Sequence, residues 1–301
     1  MMVSGTFSQL LAPGLNKVFH TAYAEAPQMW NEFFNVEGSQ RAYEEDLSWA
    51  GFELFQNYDE LEDIELRDAN EGYRTRYVHR KWGLGYQLSQ ELVDDNLYSG
   101  VIDQFPAMLA RSARATKEIV AASIFNLGFD NTVTGADGEP LFSTDHPFAG
   151  AGGGQGANTF ATPRALSHQA LKEAIVALKR TRADDNIFSP ITPRVLLVPD
   201  QLEHEAREIL GTQQVPYSAD NTINVLTDAG LGIVSWSYLD DEDNWFLGAP
   251  KEQTMLRYFE RWPMRQVMKD REENQSMLHL AYERYSFGWS DWRGWWGVEG
   301  S

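Results

Sequence analysis

The chain has 301 residues, enough to bury a sizeable core and to form one large or two moderate domains. It carries 44 acidic and 25 basic residues, a formal net charge of -19, and a surface so acidic repels phosphate backbones, which argues against a general nucleic-acid binder. Cysteine is absent, so disulfide frameworks, thiolate metal sites and cysteine nucleophiles are excluded.

No uncharged run approaches the ~20 apolar residues that span a bilayer. The start, Met1-Met2-Val3-Ser4-Gly5-Thr6, lacks the basic, apolar and cleavage regions of a secretory signal, so synthesis in a cytoplasm without membrane insertion is expected. Aromatic residues make up 13%, with 10 Trp, and such side chains favour cores and protein–protein interfaces.

In chain order, residues 1–40 read as an N-terminal arm. Phe7, Leu11, Leu15 and Phe19 recur at helical spacing, but Pro13-Gly14 interrupts them, which predicts a short or broken helix. That segment is either an ordinary first helix or an arm that docks on a neighbouring subunit. Residues 41–88 read as a long hairpin with a charged tip, the acidic segment from Asp59 to Glu65. Its strands carry too few apolar residues to make a core alone.

Residues 89–128 read as helical. Val93 and Leu97 begin a stripe that Ser99-Gly100 breaks. Asp103 is a candidate N-cap, and Pro106 falls in the first turn, where proline is tolerated. Leu109, Ala113, Val120, Ile124 and Leu127 give an apolar face, Arg111, Arg114 and Glu118 a polar one, and Gly128 a stop. At ~1.5 Å per residue this helix exceeds about 30 Å. Residues 128–163 form a loop region with a glycine-rich excursion at 150–158.

Residues 164–250 read as an α/β unit. A helix carries Leu166, Ala170, Leu171, Ala174, Ile175 and Leu178, and a buried strand runs from Val195 to Val198. Asp200 is placed to cap a second helix, with Glu203 three residues on. Strands follow near 232–238 and 245–247, joined by the acidic turn 240–244. Residues 251–301 return to strands at 255–259 and 277–287 and end in a Trp-rich stretch, with Trp289, Trp292, Trp295 and Trp296.

Ser143, Asp145 and His146 supply the residue types of a hydrolytic triad, but within one turn and without a Gly-x-Ser-x-Gly elbow. A self-satisfied turn explains them better. Asp240, Asp241, Glu242 and Asp243 lack the spacing of a calcium-binding loop, and no His residues pair at zinc-ligand spacing. The glycine run lacks the Lys and Ser/Thr of a phosphate-cradling loop. No catalytic, cofactor or metal site is expected. Arg74, Arg76, Arg80, Lys81 and Trp82, interleaved with Tyr73 and Tyr77, have the composition of a nucleic-acid strip, but in an acidic chain pairing with acidic patches of a neighbouring copy is an equally physical use, and they are the candidate interface residues. The C-terminal Trp cluster suits core or interface anchoring better than carbohydrate stacking.

Several segments, in order, resemble the Mu-like phage major head subunits, which have the Hong Kong 97-type capsid fold. They are Leu10-Leu11-Ala12-Pro13-Gly14-Leu15, Arg41-Ala42-Tyr43-Glu44-Glu45-Asp46 and Arg76-Tyr77-Val78-His79-Arg80-Lys81-Trp82-Gly83-Leu84-Gly85-Tyr86. Glu91-Leu92-Val93-Asp94-Asp95-Asn96-Leu97-Tyr98, Leu141-Phe142-Ser143-Thr144-Asp145-His146-Pro147, Asp220-Asn221-Thr222-Ile223-Asn224-Val225-Leu226 and Ser286-Phe287-Gly288-Trp289-Ser290-Asp291-Trp292-Arg293-Gly294 complete the set.

The resemblance implies an α+β fold: an N-terminal arm at 1–40, an extended loop at 41–88, a peripheral domain with a long spine helix at 89–163 and 251–301, and an α/β axial domain at 164–250. It implies a major capsid protein that assembles with itself into pentamers and hexamers of an icosahedral shell. Such a virion component would be assembled in a bacterial cytoplasm. It would enclose DNA without sequence-specific binding, and would work with a separate scaffold, protease and portal protein. The alternatives are an encapsulin-type nanocompartment shell and, in a different class, a hydrolase using Ser143 and His146.

Overall fold

The computed structural model describes residues 7–52, 54–55, 57–60, 63–64, 66, 70–89, 91, 104–150, 153–216, 223–274 and 276–301. Two four-stranded sheets organise them, each with its own helices, and a separate two-stranded hairpin stands beside the first.

The first sheet has the order β1 (Asn35–Gly38), β10 (Leu256–Arg271), β11 (Ser276–Trp289), β4 (Arg80–Ser89). β10 and β11 are long antiparallel partners, and β1 adds in parallel to β10. Burial along β11 alternates: Met277, His279, Ala281, Glu283 and Tyr285 point into the core, and the residues between them point away. Two helices cover the inward face. α1 (Phe7–Glu25) packs on α2 (Gln104–Asn126), and both lie on the sheet.

Here the structure departs from the sequence reading. α1 runs unbroken through Pro13. Leu15 and Phe19 are buried against Leu88, Met277, Leu109 and Ala281, and this packing outweighs the local penalty of one proline. The side chains of Phe7 and Leu11 lie outside the described residues, as do Val93, Leu97, Ser99, Gly100 and Asp103.

α2 is 23 residues long, or roughly 35 Å. Leu109 and Ile124 are buried as the periodicity predicts, but Leu127 is exposed. Glu118, expected on the polar face, is buried, and so is its neighbour Lys117. Gly128 ends the helix where a Cβ would collide with the Phe142 ring.

The hairpin joins β2 (Tyr43–Trp49) to β3 (Glu71–Val78), antiparallel, with Tyr43 opposite Val78. It ends at His79. Arg80–Ser89 does not extend it but becomes β4 of the first sheet, paired to β11 along its length. Leu88 can then bury against Leu15 and Met277, a core the hairpin lacks.

The second sheet has the order β12 (Trp295–Val298), β9 (Trp245–Gly248), β7 (Val195–Val198), β8 (Gly232–Ser235). α3 (His168–Lys179), N-capped by Ser167, and α4 (Glu203–Gly211) cover it around Leu171, Leu178, Leu196 and Ile209. Asp200 makes no capping bond; its carboxylate accepts from Ser235 Oγ at 2.5 Å. The last strand joins this α/β sheet and not the β10–β11 pair, because Trp295, Trp296 and Val298 are all buried there. A short ladder, β5 (His146–Pro147) with β6 (Gln155–Gly156), organises part of the glycine-rich loop.

Candidate assembly surfaces

The hairpin is fixed at its root and open at its end. At the root, Tyr77 and Ser290 share a 2.5 Å hydrogen bond, Ser290 Oγ donates to Asp46 at 2.6 Å, and Arg257 reaches the same carboxylate. Tyr73 OH donates to the Pro147 carbonyl at 3.2 Å. Beyond the strands, Phe55 is 102% exposed, Leu66 93% and Leu54 73%, with Phe52, Tyr58 and Ile64 also exposed. Apolar side chains gathered in this way on one loop make it a candidate interaction surface.

A groove of about 760 Å³ runs beside the hairpin. β3 contributes Arg74 and Arg76, α2 contributes Ile119 and Ile124, and β11 contributes Trp289. The predicted interface residues divide in their roles. Arg74 and Arg80 are exposed and make no ion pair with a described residue. Arg76 is engaged within the chain, with Glu45 at 2.7 Å and the Tyr43 ring at 4.3 Å. Lys81 lies over Trp262 at 5.0 Å, and Trp82 is half-buried, stacked on Tyr285.

Where hairpin and sheet meet, His79 is buried between two hydroxyls, with Nε2 and Nδ1 each 2.9 Å from Ser39 and Ser286 Oγ. Ser39 Oγ spends its proton on Glu44 at 2.7 Å, so it accepts from Nε2–H, and Nδ1 accepts from Ser286. Burial lowers the His79 pKa, and Arg284 lowers it further.

Two adjacent buried charges tie α2 to its surroundings, one to the first sheet and one to the second. Lys117 Nζ pairs with Glu283 at 2.7 Å and also donates to the Tyr258 hydroxyl at 3.2 Å. Burial raises the Glu283 pKa and Lys117 opposes it. Glu118 accepts from Met29 N at 2.8 Å, from Trp30 N, and from Trp236 Nε1 at 2.9 Å, so one carboxylate joins α2 to the 3-10 turn at 30–32 and to the second sheet's edge. Burial raises its pKa, while these three donors lower it. Sequence reasoning missed both groups. The only available signal was two adjacent charges on a helix whose apolar stripe is rich in alanine, which leaves room for long neighbours.

The Ser143–His146 segment does not assemble a triad. Ser143 Oγ donates to Glu139 at 2.9 Å, while the His146 ring lies against Asp137 and Asn158 and stacks on Trp292 at 4.4 Å. Each polar atom is spent on fixing the loop. Trp292, Trp295 and Trp296 are core residues, and Trp289 is half-buried. Among the described residues no group of three or more His, Asp or Glu is placed to hold a metal ion, and no helix is long and apolar enough to cross a membrane.

A sequence profile of the family described as "Phage capsid protein" matches residues 72–298, three quarters of the chain. The chain belongs to that family. Solved structures show the same fold at low identity. The procapsid of bacteriophage JBD30 is 15% identical with a TM-score of 0.56, covering 100% of this chain and 77% of that one. The capsid of cyanophage P-SCSP1u is 9% identical with a TM-score of 0.62, covering 91% and 88%. Mycobacterium phage Patience is 11% identical with a TM-score of 0.58, covering 100% and 89%. No curated protein matches the chain. The fold is thus α+β of the Hong Kong 97 type, and this phage capsid protein has a structural role and is not an enzyme.

Proposed function

We propose that the chain is the major capsid subunit of a Mu-like tailed phage, assembling with itself into the pentamers and hexamers of an icosahedral head that encloses DNA. The observation that carries this reading is the hairpin: a root tied to its own body by Tyr77, Ser290 and Asp46, and a loop whose apolar side chains none of the described residues covers. Surface of this kind costs solubility in a monomer and is recovered when another copy buries it. The extended loop overlaps a neighbouring subunit, with the groove beside Arg74 and Arg76 as part of the surface shared between copies.

The parts follow the resemblance: arm at 1–40, extended loop at 41–88, peripheral domain at 89–163 and 251–301, axial domain at 164–250. Strand pairing supports one refinement. The loop proper ends at His79, and the last strand belongs with the axial sheet. A separate scaffold and protease guide assembly, a portal protein occupies one vertex, and the finished subunit resides in the virion.

Negative-stain electron microscopy with size-exclusion chromatography tests the reading. Closed shells, or rings of five and six, are expected from the purified chain or from co-expression with neighbouring genes. A monomer that fails to assemble under both conditions contradicts it.

A further inference from the structure

The first sheet has one face under α1 and α2 and one face turned away from them. Register fixes which residues share the outer face. Five of its rows, running from Trp262 away from the hairpin, are Lys81–Arg284–Trp262, Gly83–Tyr282–Arg265, Gly85–Leu280–Val267, Gln87–Leu278–Lys269 and Ser89–Ser276–Arg271; towards the hairpin the face continues through Ser286–Phe259–Glu37, where Glu37 is already paired with Arg257. The five rows hold five basic residues and no acidic one. The acidic residues of the same strands, Glu260, Glu283 and Asp270, all fall in the alternate rows. In a chain with 44 acidic and 25 basic residues, this segregation runs against the average composition.

The arrangement also carries a local cost. Lys81 and Arg284 stand directly opposite each other across the β4–β11 ladder, a like-charge pair that destabilises a sheet. Trp262, re-aimed by register shifts on either side of it, gathers the cations: Lys81 at 5.0 Å, Arg265 at 5.2 Å and Arg284 at 5.5 Å from its ring. Lys81 and Arg265 are exposed and have no carboxylate partner among the described residues. An uncompensated concentration of one charge, held on a rigid sheet, is what a site for an anionic partner requires.

The chain carries the complement elsewhere. Asp240, Asp241, Glu242 and Asp243 are four consecutive exposed carboxylates in the turn before β9. Asp241 accepts from the Asp243 and Asn244 amides, which fixes the turn, and no described cation pairs with any of the four. The turn leads into the second sheet and makes no ion pair with the cationic face of its own copy, so the two patches suit a head-to-tail contact between copies. The chain's net charge of -19 disfavours the rival anion, a nucleic-acid backbone.

We propose that the cationic outer face centred on Trp262 is the docking site for the acidic turn 240–243 of a second copy. This rests on the reading of the chain as a self-assembling subunit. It adds an electrostatic contact separate from the hairpin.

Sedimentation velocity at low and high salt tests it, with three variants: Lys81→Glu/Arg265→Glu, Asp240→Lys/Glu242→Lys, and all four changes in one chain. The targeted side chains are exposed, and circular dichroism confirms folding. Each double variant is expected to weaken low-salt self-association at least about tenfold, and the fourfold variant to restore it. Self-association that is absent in the wild type, or indifferent to the reversals, overturns the proposal. Rescue of Lys81→Glu/Arg265→Glu by Asp59→Lys/Asp63→Lys instead of the turn also overturns it. So does a loss confined to binding of duplex DNA. Shells that form normally from every variant sink this inference while leaving the capsid reading intact.

Discussion

The long helix α2 and the hairpin β2–β3 reverse the usual placement of side chains in opposite senses. The helix buries two charged residues, Lys117 and Glu118, at its middle, and the hairpin exposes Phe55 and Leu66 at its end. The buried charges are fully partnered, by Glu283, Tyr258, Trp236 and two backbone amides, so they fix how α1, α2 and both sheets meet within one copy. The exposed apolar groups are covered by none of the described residues. The first region therefore sets the stability of the subunit, and in the proposed function the second sets what the subunit does with its neighbours.

The largest effect on the fold is expected from Lys117→Met. It leaves the Glu283 carboxylate buried without its cation and should cost about 3–5 kcal/mol, read by chemical denaturation. Glu118→Ala removes the acceptor of three hydrogen bonds, one of them from Trp236, and should cost about 3 kcal/mol or more in the same assay. If either variant unfolds at the wild-type midpoint, the buried charges are not what joins the helices to the sheets.

A smaller, pH-dependent effect is expected at the hairpin root. The native His79 pKa lies below the ordinary 6.5, so the native state holds the ring neutral while the unfolded chain protonates first. The stability contributed by the neutral ring is full above about pH 6.5 and is lost as pH falls through that value. His279, whose pKa burial also lowers, acts in the same sense. His79→Gln should flatten the decline in Tm between pH 7 and pH 5 without abolishing it. A slope identical to wild type would place the titrating group elsewhere.

The smallest effect on the fold, and the largest on assembly, belongs to the hairpin's end. Phe55→Ser with Leu66→Ser should leave Tm unchanged, since both side chains are already in water, while particle yield falls by at least about tenfold. A lowered Tm with normal particles would invert the comparison.

Much of this division was legible in the sequence. The strand and helix periods place β7, β9, α2, α3 and β11 close to where they lie, because apolar residues recur there at 2.0 or 3.6, while β10 runs to Arg271, well past the expected 255–259, through a charged stretch with no strand period. The charged loop between β2 and β3 was visible as a break between two strand-like runs. What stayed hidden depended on partners far apart in sequence. Glu118 looked like a surface residue because nothing local announces Trp236, 118 positions away. Pro13 looked like a helix breaker because the packing that overrides it comes from Met277 and Leu88. The five-row cationic face could not be read at all, since it exists only once β4 and β10 are placed on either side of β11.

Cryo-electron microscopy of assembled particles tests the central claim most directly, by locating the loop between β2 and β3. The account predicts a closed shell in which Phe55 and Leu66 are covered by a neighbouring copy. A closed shell in which that loop stands free in solvent would contradict it.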